Sequence, residues 1–483
     1  MATAVYPYTQ YSGIWNLSSQ ANAKAAGTWT AIPGAPTIGT ATAGYASASV
    51  TFTAPTDPGV PATITGYIVT SSPGGFTGTG SASPITVSGL ANGTAYTFTV
   101  QAINSSGTGP ASAASNSITT LPNLALYGWG YNGNGQLGIG VTGNRSSPVQ
   151  VGTLTNWSAL QTQGSDQGND FTLVAKNNGT LWSFGNGGGG ALGLGNTTSY
   201  SSPKQVGSLT DWLLVTAGYA SGAVKKDGTL WMWGYGDTGQ LGLGNTTTYS
   251  SPKQVGALTN WAYVKSSFRF TIAIKTNGTL WSWGRNSTGQ LGLGNTTDYS
   301  SPKQVGSGTT WLLAVASGSY TTSWSNVFAI KTDGTLWAWG GNVYGSLGLG
   351  NTTAYSSPKQ VGALTNWLKI SASYGGGTIA VKTDGTLWTW GRNNLGQLGL
   401  GNTTYYSSPK QVGSLTGWTN VTSSVNAQMA IRNGTLWSWG SGNTGQLGLG
   451  NVSNYSSPVQ VGALTSWYDI SANDFKVMAL IRA

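Results

Sequence analysis

A strand motif that recurs seven times is the feature of this chain that most constrains its fold. One copy runs from Asp333 to Gly340 and reads Asp-Gly-Thr-Leu-Trp-Ala-Trp-Gly. Its Asp-Gly pair predicts a two-residue type I′ turn with positive φ at both residues, followed by a strand that alternates large and small side chains. The glycines that close successive copies are 49 to 56 residues apart. A period near fifty made of short strands predicts propeller blades or a solenoid.

Three companion motifs keep step with this strand: a Gly-Gln-Leu-Gly-Leu-Gly loop, a Tyr-Ser-Ser-Pro-Lys-Gln-Val-Gly segment and a single tryptophan. One full unit contains four predicted strands, A to D, at 367–372, 378–382, 386–390 and 408–412. The repeats begin with strands C and D near residue 124 and end with strands A and B near residue 482. Seven complete blades therefore require the two ends of this region to share one blade. This predicts a seven-bladed β-propeller over residues 124–483, closed by N- and C-terminal strands.

The residues before the repeats divide into two parts. Residues 1–34 form a short leader rich in tyrosine and tryptophan, which is expected either to pack as a strap against the next domain or to anchor the chain in a larger assembly. Residues 35–121 read as alternating strands between turn residues, and this pattern predicts a β-sandwich. The fold class expected for the whole chain is therefore all-β, with a sandwich preceding the propeller.

The composition excludes several kinds of chemistry. The 483 residues include no cysteine, no histidine and no glutamate, so neither a thiolate nucleophile nor an imidazole base is present. We therefore expect no enzyme, no cofactor and no metal site. The net charge is +10, yet only 7% of residues are charged. No apolar run is long enough to predict membrane insertion, and the first residues do not resemble a secretory signal.

Two resemblances to known families follow from these motifs. The segment Leu90-Ala91-Asn92-Gly93-Thr94-Ala95-Tyr96 resembles the late strands of a fibronectin type III domain, and the resemblance implies that Tyr96 is a tyrosine corner. Phe52 stands where that family usually has tryptophan. The Trp-Gly, Gly-Gln-Leu-Gly and Pro motifs resemble the regulator of chromosome condensation repeat family, which implies a seven-bladed propeller. Nuclear members of that family exchange guanine nucleotide and bind chromatin, but likeness of fold does not transfer these activities.

This chain departs from that repeat family at the start of strand B. Family members often carry a histidine there. Here the position holds Phe171, Ser221, Phe270 or Gly377 in different copies.

The candidate binding residues lie where the repeats differ. In a four-stranded antiparallel blade, the A–B and C–D connections emerge on the same face, so the variable residues gather at one end of the propeller. The candidates are Asp166, Asp170, Tyr219, Tyr235, Phe268, Arg269, Arg285, Tyr320, Trp324, Tyr344, Tyr374 and Arg392. Aromatic and arginine residues of this kind favour a recognition surface, and the alternative is drift in unconstrained loops. For Asp166 and Asp170, a solvated loop is favoured over weak calcium binding.

Two other repeated residue types have competing interpretations. Tryptophan pairs such as Trp231 and Trp233, or Trp281 and Trp283, are expected to pack between blades rather than to stack on sugars. A lysine beside proline recurs on the predicted outermost strand, where it blocks edge-to-edge pairing or, alternatively, forms a basic rim for polyanions. These lysines are Lys204, Lys253, Lys303, Lys359 and Lys410.

The expected function is a non-enzymatic virion protein, as a decoration or a fibre. The leader, with Tyr11-Ser12-Gly13-Ile14-Trp15 and residues 24–29, resembles leaders of tailed-phage structural proteins. The expected partners are other virion proteins, through the leader, and a host glycan or surface protein, with nucleic acid not expected. The expected location is the virion, released by lysis, or alternatively a cell surface. The alternative functions are a bacterial surface or inhibitor-type protein-binding propeller, and a polyanion binder.

Overall fold

The computed structural model describes residues 30–163, 170–318, 324–373, 375–473 and 475–483. The chain divides into two compact units between Pro122 and Asn123. Regular structure in the described ranges is β-strand, with short 3-10 turns at Gly188–Gly190 and Val343–Gly345. No helix within these ranges has the length and hydropathy needed to cross a membrane.

The first unit contains a β-sandwich, as predicted. One sheet has the order β1-β2-β5, and the other has the order β4-β3-β6-β7, with β8 paired to β6. The strands are β1 (Thr37–Ala43), β2 (Ser47–Thr53), β3 (Gly66–Ser72), β4 (Thr77–Gly80), β5 (Ile85–Ser88), β6 (Ala95–Asn104), β7 (Gly107–Thr108) and β8 (Ile118–Thr119). Alternate residues of β2, β3 and β6 are buried, because the inner face of each sheet forms the core.

Two aromatic residues singled out in the sequence lie in this core. The ring centroids of Phe52 and Tyr67 are 4.6 Å apart, so Phe52 fills its position without tryptophan. Tyr96 is 3% exposed, and its hydroxyl accepts a hydrogen bond of 3.0 Å from the backbone N–H of Ala91. A tyrosine hydroxyl that bonds to backbone a few residues upstream is the tyrosine corner of such sandwiches.

The second unit is a seven-bladed propeller of four-stranded antiparallel sheets, which confirms the predicted fold class. Blade VII starts with β9 (Leu124–Gly130) and β10 (Arg145–Gln150). Blade I contains β11 (Trp157–Gln163), β12 (Phe171–Lys176), β13 (Leu181–Gly185) and β14 (Tyr200–Gln205). Blade II contains β15 (Trp212–Ala217), β16 (Ala220–Lys225), β17 (Leu230–Gly234) and β18 (Tyr249–Gln254). Blade III contains β19 (Trp261–Ser266), β20 (Phe270–Lys275), β21 (Leu280–Gly284) and β22 (Tyr299–Gln304).

The remaining blades repeat this A-B-C-D order. Blade IV contains β23 (Trp311–Ser317), β24 (Asn326–Lys331), β25 (Leu336–Gly340) and β26 (Tyr355–Gln360). Blade V contains β27 (Trp367–Ala372), β28 (Gly377–Lys382), β29 (Leu387–Gly391) and β30 (Tyr406–Gln411). Blade VI contains β31 (Trp418–Ser423), β32 (Ala427–Arg432), β33 (Thr435–Gly440) and β34 (Tyr455–Gln460). Blade VII is completed by β35 (Trp467–Asn473) and β36 (Lys476–Arg482).

Blade VII joins the two ends of the repeat region. Strand β36 pairs with β9 in antiparallel register from Lys476 opposite Gly130 to Arg482 opposite Leu124. The A strands of neighbouring blades contact one another around the centre, and the D strands lie outermost. The pairing of β36 with β9 places both ends of the region inside one sheet and leaves no open edge between the first and last blades.

The recurring tryptophan and glycine motifs fit together between blades. In blade IV, Trp339 is fully buried, and its indole N–H donates a hydrogen bond of 3.0 Å to the backbone carbonyl of Gln290 in blade III. Gly292 lies against the same ring with φ +73°, and a Cβ atom there would be 2.7 Å from the indole nitrogen. The Gly-Gln-Leu-Gly loop of one blade is therefore the seat for the tryptophan of the next blade, which explains why both motifs recur in step.

The B–C turns differ from the expected type I′ geometry. At Asp333-Gly334 only the glycine has positive φ, and the N–H of Lys331 bonds to the carbonyl of Thr335, so the loop has three residues. The type I′ expectation is wrong there because the extra residue favours a type I turn followed by a left-handed glycine. Blade VI is one residue shorter, and both Asn433 and Gly434 have positive φ, with Arg432 opposite Thr435.

Strand C carries two tryptophans in blades II to VI, and the two have different partners. The inner one, such as Trp283, packs between blades and donates to the Gln240 carbonyl at 2.9 Å. The outer one, such as Trp281, is half-buried and packs within its own blade, where the Lys275 ammonium lies 3.8 Å from its ring centroid. The expectation of packing between blades is therefore correct for the inner tryptophans and incomplete for the outer ones.

Candidate functional site

The connections between strands define two ends of the propeller. We call the end that carries the A–B connections and the C–D loops the variable-loop face. We call the opposite end, which carries the B–C turns and the D–A connections, the turn face. Antiparallel order within every blade places the connections in this way.

A first aromatic–arginine cluster lies on the variable-loop face and joins blades II and III. It consists of Tyr219, Tyr235, Asp237, Phe268 and Arg269. The rings of Tyr219 and Tyr235 are stacked with centroids 4.2 Å apart, and Tyr219 lies 4.7 Å from the Phe268 ring. The Arg269 guanidinium lies 5.6 Å from the Tyr219 centroid and 5.3 Å from the Phe268 centroid. Such distances permit cation–π attraction.

Charges fix the orientation of Arg269 in this first cluster. One terminal nitrogen of its guanidinium is 3.2 Å from a carboxylate oxygen of Asp237, which lies in the C–D loop of blade II. The Nε atom of Arg269 is buried and has no hydrogen-bond partner among the described residues. Burial raises the pKa of the Tyr219 hydroxyl, and the nearby Tyr235 and Asp237 raise it further. Tyr219 therefore presents a neutral hydroxyl beside a fixed cation.

A second aromatic–arginine cluster joins blades IV and V. It consists of Trp324, Tyr344, Arg392 and Tyr405. The rings of Trp324 and Tyr344 have centroids 6.1 Å apart, and the Tyr344 and Tyr405 centroids are 5.3 Å apart, both with edge-to-face geometry. The Arg392 guanidinium lies 5.8 Å from the Trp324 ring and 5.4 Å from the Tyr344 ring. In the first cluster Arg269 therefore lies over rings from blades II and III, and in the second Arg392 of blade V lies over two rings of blade IV.

The loops that carry these side chains are held by repeated amide contacts. In blade V, the Asn393 amide donates to the carbonyls of Asn402 and Thr404, while its Oδ1 accepts from the Leu398 N–H at 2.9 Å. The Gln397 Oε1 accepts from the Leu395 N–H at 2.8 Å. Because the backbone is fixed by these amides, the adjoining positions are free to differ between blades.

Most of the predicted candidates belong to the two clusters. The structure brings together Tyr219, Tyr235, Phe268 and Arg269 in the first, and Trp324, Tyr344 and Arg392 in the second. Phe268 is only 4% exposed and packs against Tyr219 and Arg269 on the buried side of the first cluster. Arg285 is half-buried in the C–D loop of blade III and belongs to neither cluster. Asp166, Tyr320 and Tyr374 lie outside the described residues.

Asp170 is placed differently from the expectation. It is 5% exposed, and the side-chain amide of Gln136 in blade VII lies 3.3 Å from one of its carboxylate oxygens. The expected solvated loop is therefore wrong for this residue, because the side chain is turned between two blades. In the ranges that the structure describes, no three acidic side chains gather as a metal site would require.

Two cluster members were missed in the sequence. Asp237 follows Tyr235 by two residues, and its role depends on Arg269 from the next blade. Tyr405 stands at a position where other blades have a residue that closes the C–D loop, as Asp298 does by accepting from the Asn286 N–H at 2.6 Å. A bulky side chain at an otherwise hydrogen-bonding position of the repeat was the signal that could have identified Tyr405.

The rim lysines have local partners. On the outermost strands, the ammonium groups lie 5.4 to 5.5 Å from the ring of the tyrosine that begins the same strand. Blades VI and VII have Val459 and Val149 at this position. The basic rim is therefore an arc over five blades rather than a complete ring.

Comparison with known proteins agrees with this geometry. The chain is a seven-bladed β-propeller whose variable-loop face carries two aromatic–arginine clusters, preceded by a sandwich that matches the fibronectin type III domain over residues 34–118. The model of the regulator of chromosome condensation (RCC1) repeat matches residues 125–173, 178–224, 227–274, 277–323, 333–379, 384–431 and 433–480. The chain belongs to the RCC1 repeat family.

Curated relatives are similar over short segments. Protein RCC2 homolog of Danio rerio is 43% identical over 76 residues, which are 16% of this chain and 15% of that protein. Protein RCC2 of Homo sapiens is 38% identical over 100 residues, or 20% of this chain and 19% of that protein. Ultraviolet-B receptor UVR8 of Arabidopsis thaliana is 34% identical over 94 residues, or 19% and 21%. The chain thus matches about a fifth or less of each relative.

Solved structures show the same fold at low identity. Human WBSCR16 superposes with a TM-score of 0.64 at 19% identity, covering 74% of this chain and 99% of that chain. Prp20p of Saccharomyces cerevisiae superposes with a TM-score of 0.63 at 18% identity, covering 75% and 93%. At these identities the likeness concerns the fold alone.

Proposed function

We propose that this chain is a non-enzymatic protein-binding module that recognises its partner through the variable-loop face. The observation that carries the proposal is the pair of aromatic–arginine clusters, each assembled from two blades. Arginine, tyrosine and tryptophan are the side chains that most often dominate the binding energy of protein interfaces. Their concentration at one end of an otherwise repetitive scaffold supports recognition over drift.

The clusters are also prepared for binding. The guanidinium groups are already held over aromatic rings, so less side-chain entropy is lost when a partner arrives. Asp237 balances the charge of Arg269 in the first cluster. The Nε atom of Arg392 is buried without a hydrogen-bond partner in the described ranges, as is that of Arg269. A partner that offers acidic groups or backbone carbonyls would complement both clusters.

Structural relatives support a protein as the class of partner. Prp20p of Saccharomyces cerevisiae is described as binding Gsp1p and histones, and yeast RCC1 (Prp20) has been solved bound to Kap60. Those proteins share only the fold with this chain, so their partners are not assigned to it. They illustrate that the fold presents surfaces suited to proteins.

The test is comparative capture followed by direct measurement. Immobilised full-length protein is exposed to proteins of its natural surroundings, and retained proteins are identified by mass spectrometry. The variants are Arg269→Ala and Arg392→Ala, and the matched control is Arg432→Ala, whose side chain lies on the turn face and donates to the Thr416 carbonyl at 2.7 Å. We expect one protein to be retained by the wild type and the control and to be lost with either cluster variant.

Purified partner then gives the affinity by calorimetry. Truncation of a central arginine is expected to cost about 2 kcal/mol or more, which weakens binding roughly thirtyfold. Equal retention by all four proteins would contradict recognition through these clusters.

A finer proposal concerns location. We infer that the propeller is displayed on a virus particle, with the leader as its attachment to other virion proteins and a host glycan or surface protein as the ligand. The support is the resemblance of residues 11–29 to leaders of tailed-phage structural proteins, together with a sandwich domain of a type that often serves as a spacer. Mass spectrometry of purified particles tests the location, and a variant lacking residues 1–29 tests the attachment. Absence from particles, or full attachment of the shortened variant, would contradict it.

A further inference from the structure

The A strands enclose a cavity along the central axis of the propeller. Its volume is about 270 Å³, and its walls include residues from all seven blades. It extends along the A strands to their junction with the A–B connections, because Phe268 and Gly318 also line it. The cavity is therefore internal and reaches toward the variable-loop face.

One repeated position of strand A ties neighbouring blades together beside this cavity. Its hydroxyl accepts a hydrogen bond from the backbone N–H of the next blade. The four instances are Thr216 with Ser266 at 2.7 Å, Ser371 with Ser423 at 3.0 Å, Thr422 with Ala472 at 2.9 Å and Ser471 with Thr162 at 3.1 Å. This position has a structural role wherever it holds serine or threonine.

Blades I, III and IV depart from that role and place Gln161, Lys265 and Val315 there. The Lys265 ammonium donates to the Gln161 side-chain carbonyl across the cavity, between residues 104 positions apart. Lys265 is deep inside the propeller, yet its side chain keeps some accessible surface because it faces the cavity. An ammonium group has three donors, and Gln161 satisfies one of them.

A second set of charged groups lies on the same wall. The Lys369 ammonium is 3.3 Å from the Asn420 side-chain carbonyl, and the Asn420 amide donates at 2.6 Å to Asp469. The same oxygen of Asp469 also accepts from the Ile470 N–H at 2.9 Å. Asp469 is thus bonded through amides rather than directly to a lysine.

The titratable groups that line the cavity within the described ranges are Tyr263, Lys265, Lys369 and Asp469. Burial raises the pKa of the Tyr263 hydroxyl, so it stays neutral. Two cations therefore face one anion. Buried charge without full compensation is costly, which favours an anionic ligand at this place.

Two serine hydroxyls also belong to the cavity lining. Ser317 and Ser423 line the cavity and are 4% and 6% exposed. Their Oγ atoms have no hydrogen-bond partner among the residues that the structure describes. Buried polar atoms are nearly always satisfied in folded proteins, so these two unpartnered hydroxyls, one in blade IV and one in blade VI, are donors open to a ligand or a water.

We propose that the central cavity binds a small oxyanion, a carboxylate or a phosphate, through Lys265 and Lys369 with support from the serine hydroxyls. A cavity of about 270 Å³ accommodates a small ion with several waters. Ammonium groups and hydroxyls are suitable donors for oxyanions. The proposed anion donors are not members of the aromatic–arginine clusters, although Phe268 lines the cavity and belongs to the first cluster, and the site does not rest on the protein-binding proposal.

Protonation is coupled to this binding. Burial lowers the pKa of Lys265 to about 8, while Asp469 opposes that shift. A bound oxyanion favours the charged ammonium, so binding is expected to be tighter below pH 8 than well above it.

Calorimetric titration of the full chain tests the proposal, with sodium phosphate and sodium acetate as separate probes and chloride held at constant ionic strength. We expect saturable binding at one site, weakened at least tenfold by Lys265→Met. The matched control is Lys410→Met, which removes the same charge from the outer rim and should leave binding unchanged. Acetate, whose charge is constant above neutrality, should bind several times more weakly at pH 9.5 than at pH 7.

The outcomes separate the alternatives. Saturable binding of phosphate alone, or of acetate alone, supports the site and identifies the oxyanion. Saturable binding of neither ion, or equal weakening in both lysine variants, overturns the proposal. Circular dichroism melting shows whether Lys265→Met remains folded. If it does not, Lys369→Met and Ser423→Ala decide, since each should weaken binding severalfold and no weakening in either would overturn the proposal.

Discussion

The two ends of the propeller are built from the same seven repeats but differ in what those repeats specify. On the turn face, one arrangement recurs in blades I to V: a threonine hydroxyl donates to the Asp or Asn of the turn and accepts from the outer tryptophan. In blade IV these distances are 2.7 Å from Thr335 to Asp333 and 3.0 Å from Trp337 to Thr335. On the variable-loop face, the corresponding positions differ from blade to blade. The side chains of the two clusters therefore have no equivalents in most other blades.

The two faces therefore show which contacts the fold needs in each blade and which contacts form only where neighbouring blades differ. The threonine contacts of the turn face lie within one blade, so every blade can make them independently. The aromatic–arginine clusters depend on pairs of neighbouring blades, because Tyr219 and Tyr235 come from blade II and Arg269 from blade III. A scaffold whose contacts repeat can tolerate departures at one end, which is where a specific surface develops.

The largest predicted effect is the difference in stability loss when each of two tryptophans of blade IV is replaced by alanine. Trp339 is fully buried between blades, and Trp339→Ala should lower the free energy of unfolding by about 3–5 kcal/mol through the cavity it leaves. Trp324 is only half-buried on the variable-loop face, so Trp324→Ala should cost less than about 1 kcal/mol. Chemical denaturation measures both. Similar losses in the two variants would mean that the loop cluster supports the fold.

The next largest effect is the pH dependence of stability that Lys265 causes. This buried lysine stands where four other blades have serine or threonine. Burial lowers its pKa to about 8 in the folded state from the ordinary lysine value of 10.5. Between these values the unfolded chain binds more protons, so the free energy of unfolding should rise with pH, by about 3 kcal/mol over the whole window.

The substitution Lys265→Thr, which restores the repeat residue, should remove the Lys265 contribution to this pH dependence and stabilise the protein at pH 7. Denaturation curves from pH 7 to 10 measure both effects. Burial also lowers the pKa values of Lys176, Lys275 and Lys382, so a weaker rise of the same sign should remain. An unchanged slope in the variant would show that the slope arises from those lysines.

A smaller effect is expected at the turn face. Thr335→Val keeps the shape of the side chain but removes the hydroxyl between Asp333 and the Trp337 indole, and should cost about 0.5–1.5 kcal/mol because the exposed carboxylate and the half-buried indole each lose one hydrogen bond. The control is Thr352→Val, an exposed threonine in the C–D loop of the same blade. Thermal melting compares the two. Equal stability of the two variants would show that the threonine hydroxyl between Asp333 and Trp337 is not needed for the turn.

The smallest effect is expected at Tyr405. Tyr405→Asp introduces a carboxylate at the position where Asp298 accepts from the Asn286 N–H, and should stabilise the protein by up to about 1 kcal/mol. It also removes the ring that lies 5.3 Å from Tyr344. The matched change Ala354→Asp in blade IV should give the same gain and leave that ring pair intact. Destabilisation by both would contradict the assigned role of the position.

Much of the fold was predictable because each repeat contains the turn, strand and loop motifs that specify one blade. The number of blades, the order of strands and the shared face of the variable loops all follow from motifs that recur in step. The sandwich and its tyrosine corner likewise follow from a local segment. Even the turn type was within reach, since only blade VI lacks the residue that separates Lys331 from Asp333 in blade IV.

The sequence by itself determined the architecture, because the same local pattern buries an aromatic ring against the glycine loop of the preceding blade seven times, as tryptophan in six blades and as Phe184 in blade I. The tertiary structure alone decided which departures from the repeat meet. It brought Arg269 to Tyr219, Asp170 to Gln136, and Lys265 to Gln161 across the central cavity. These contacts join residues from different blades and occur once each, so the repeat pattern of the sequence does not predict them. Their partners depend on how neighbouring and opposite blades are placed around the axis.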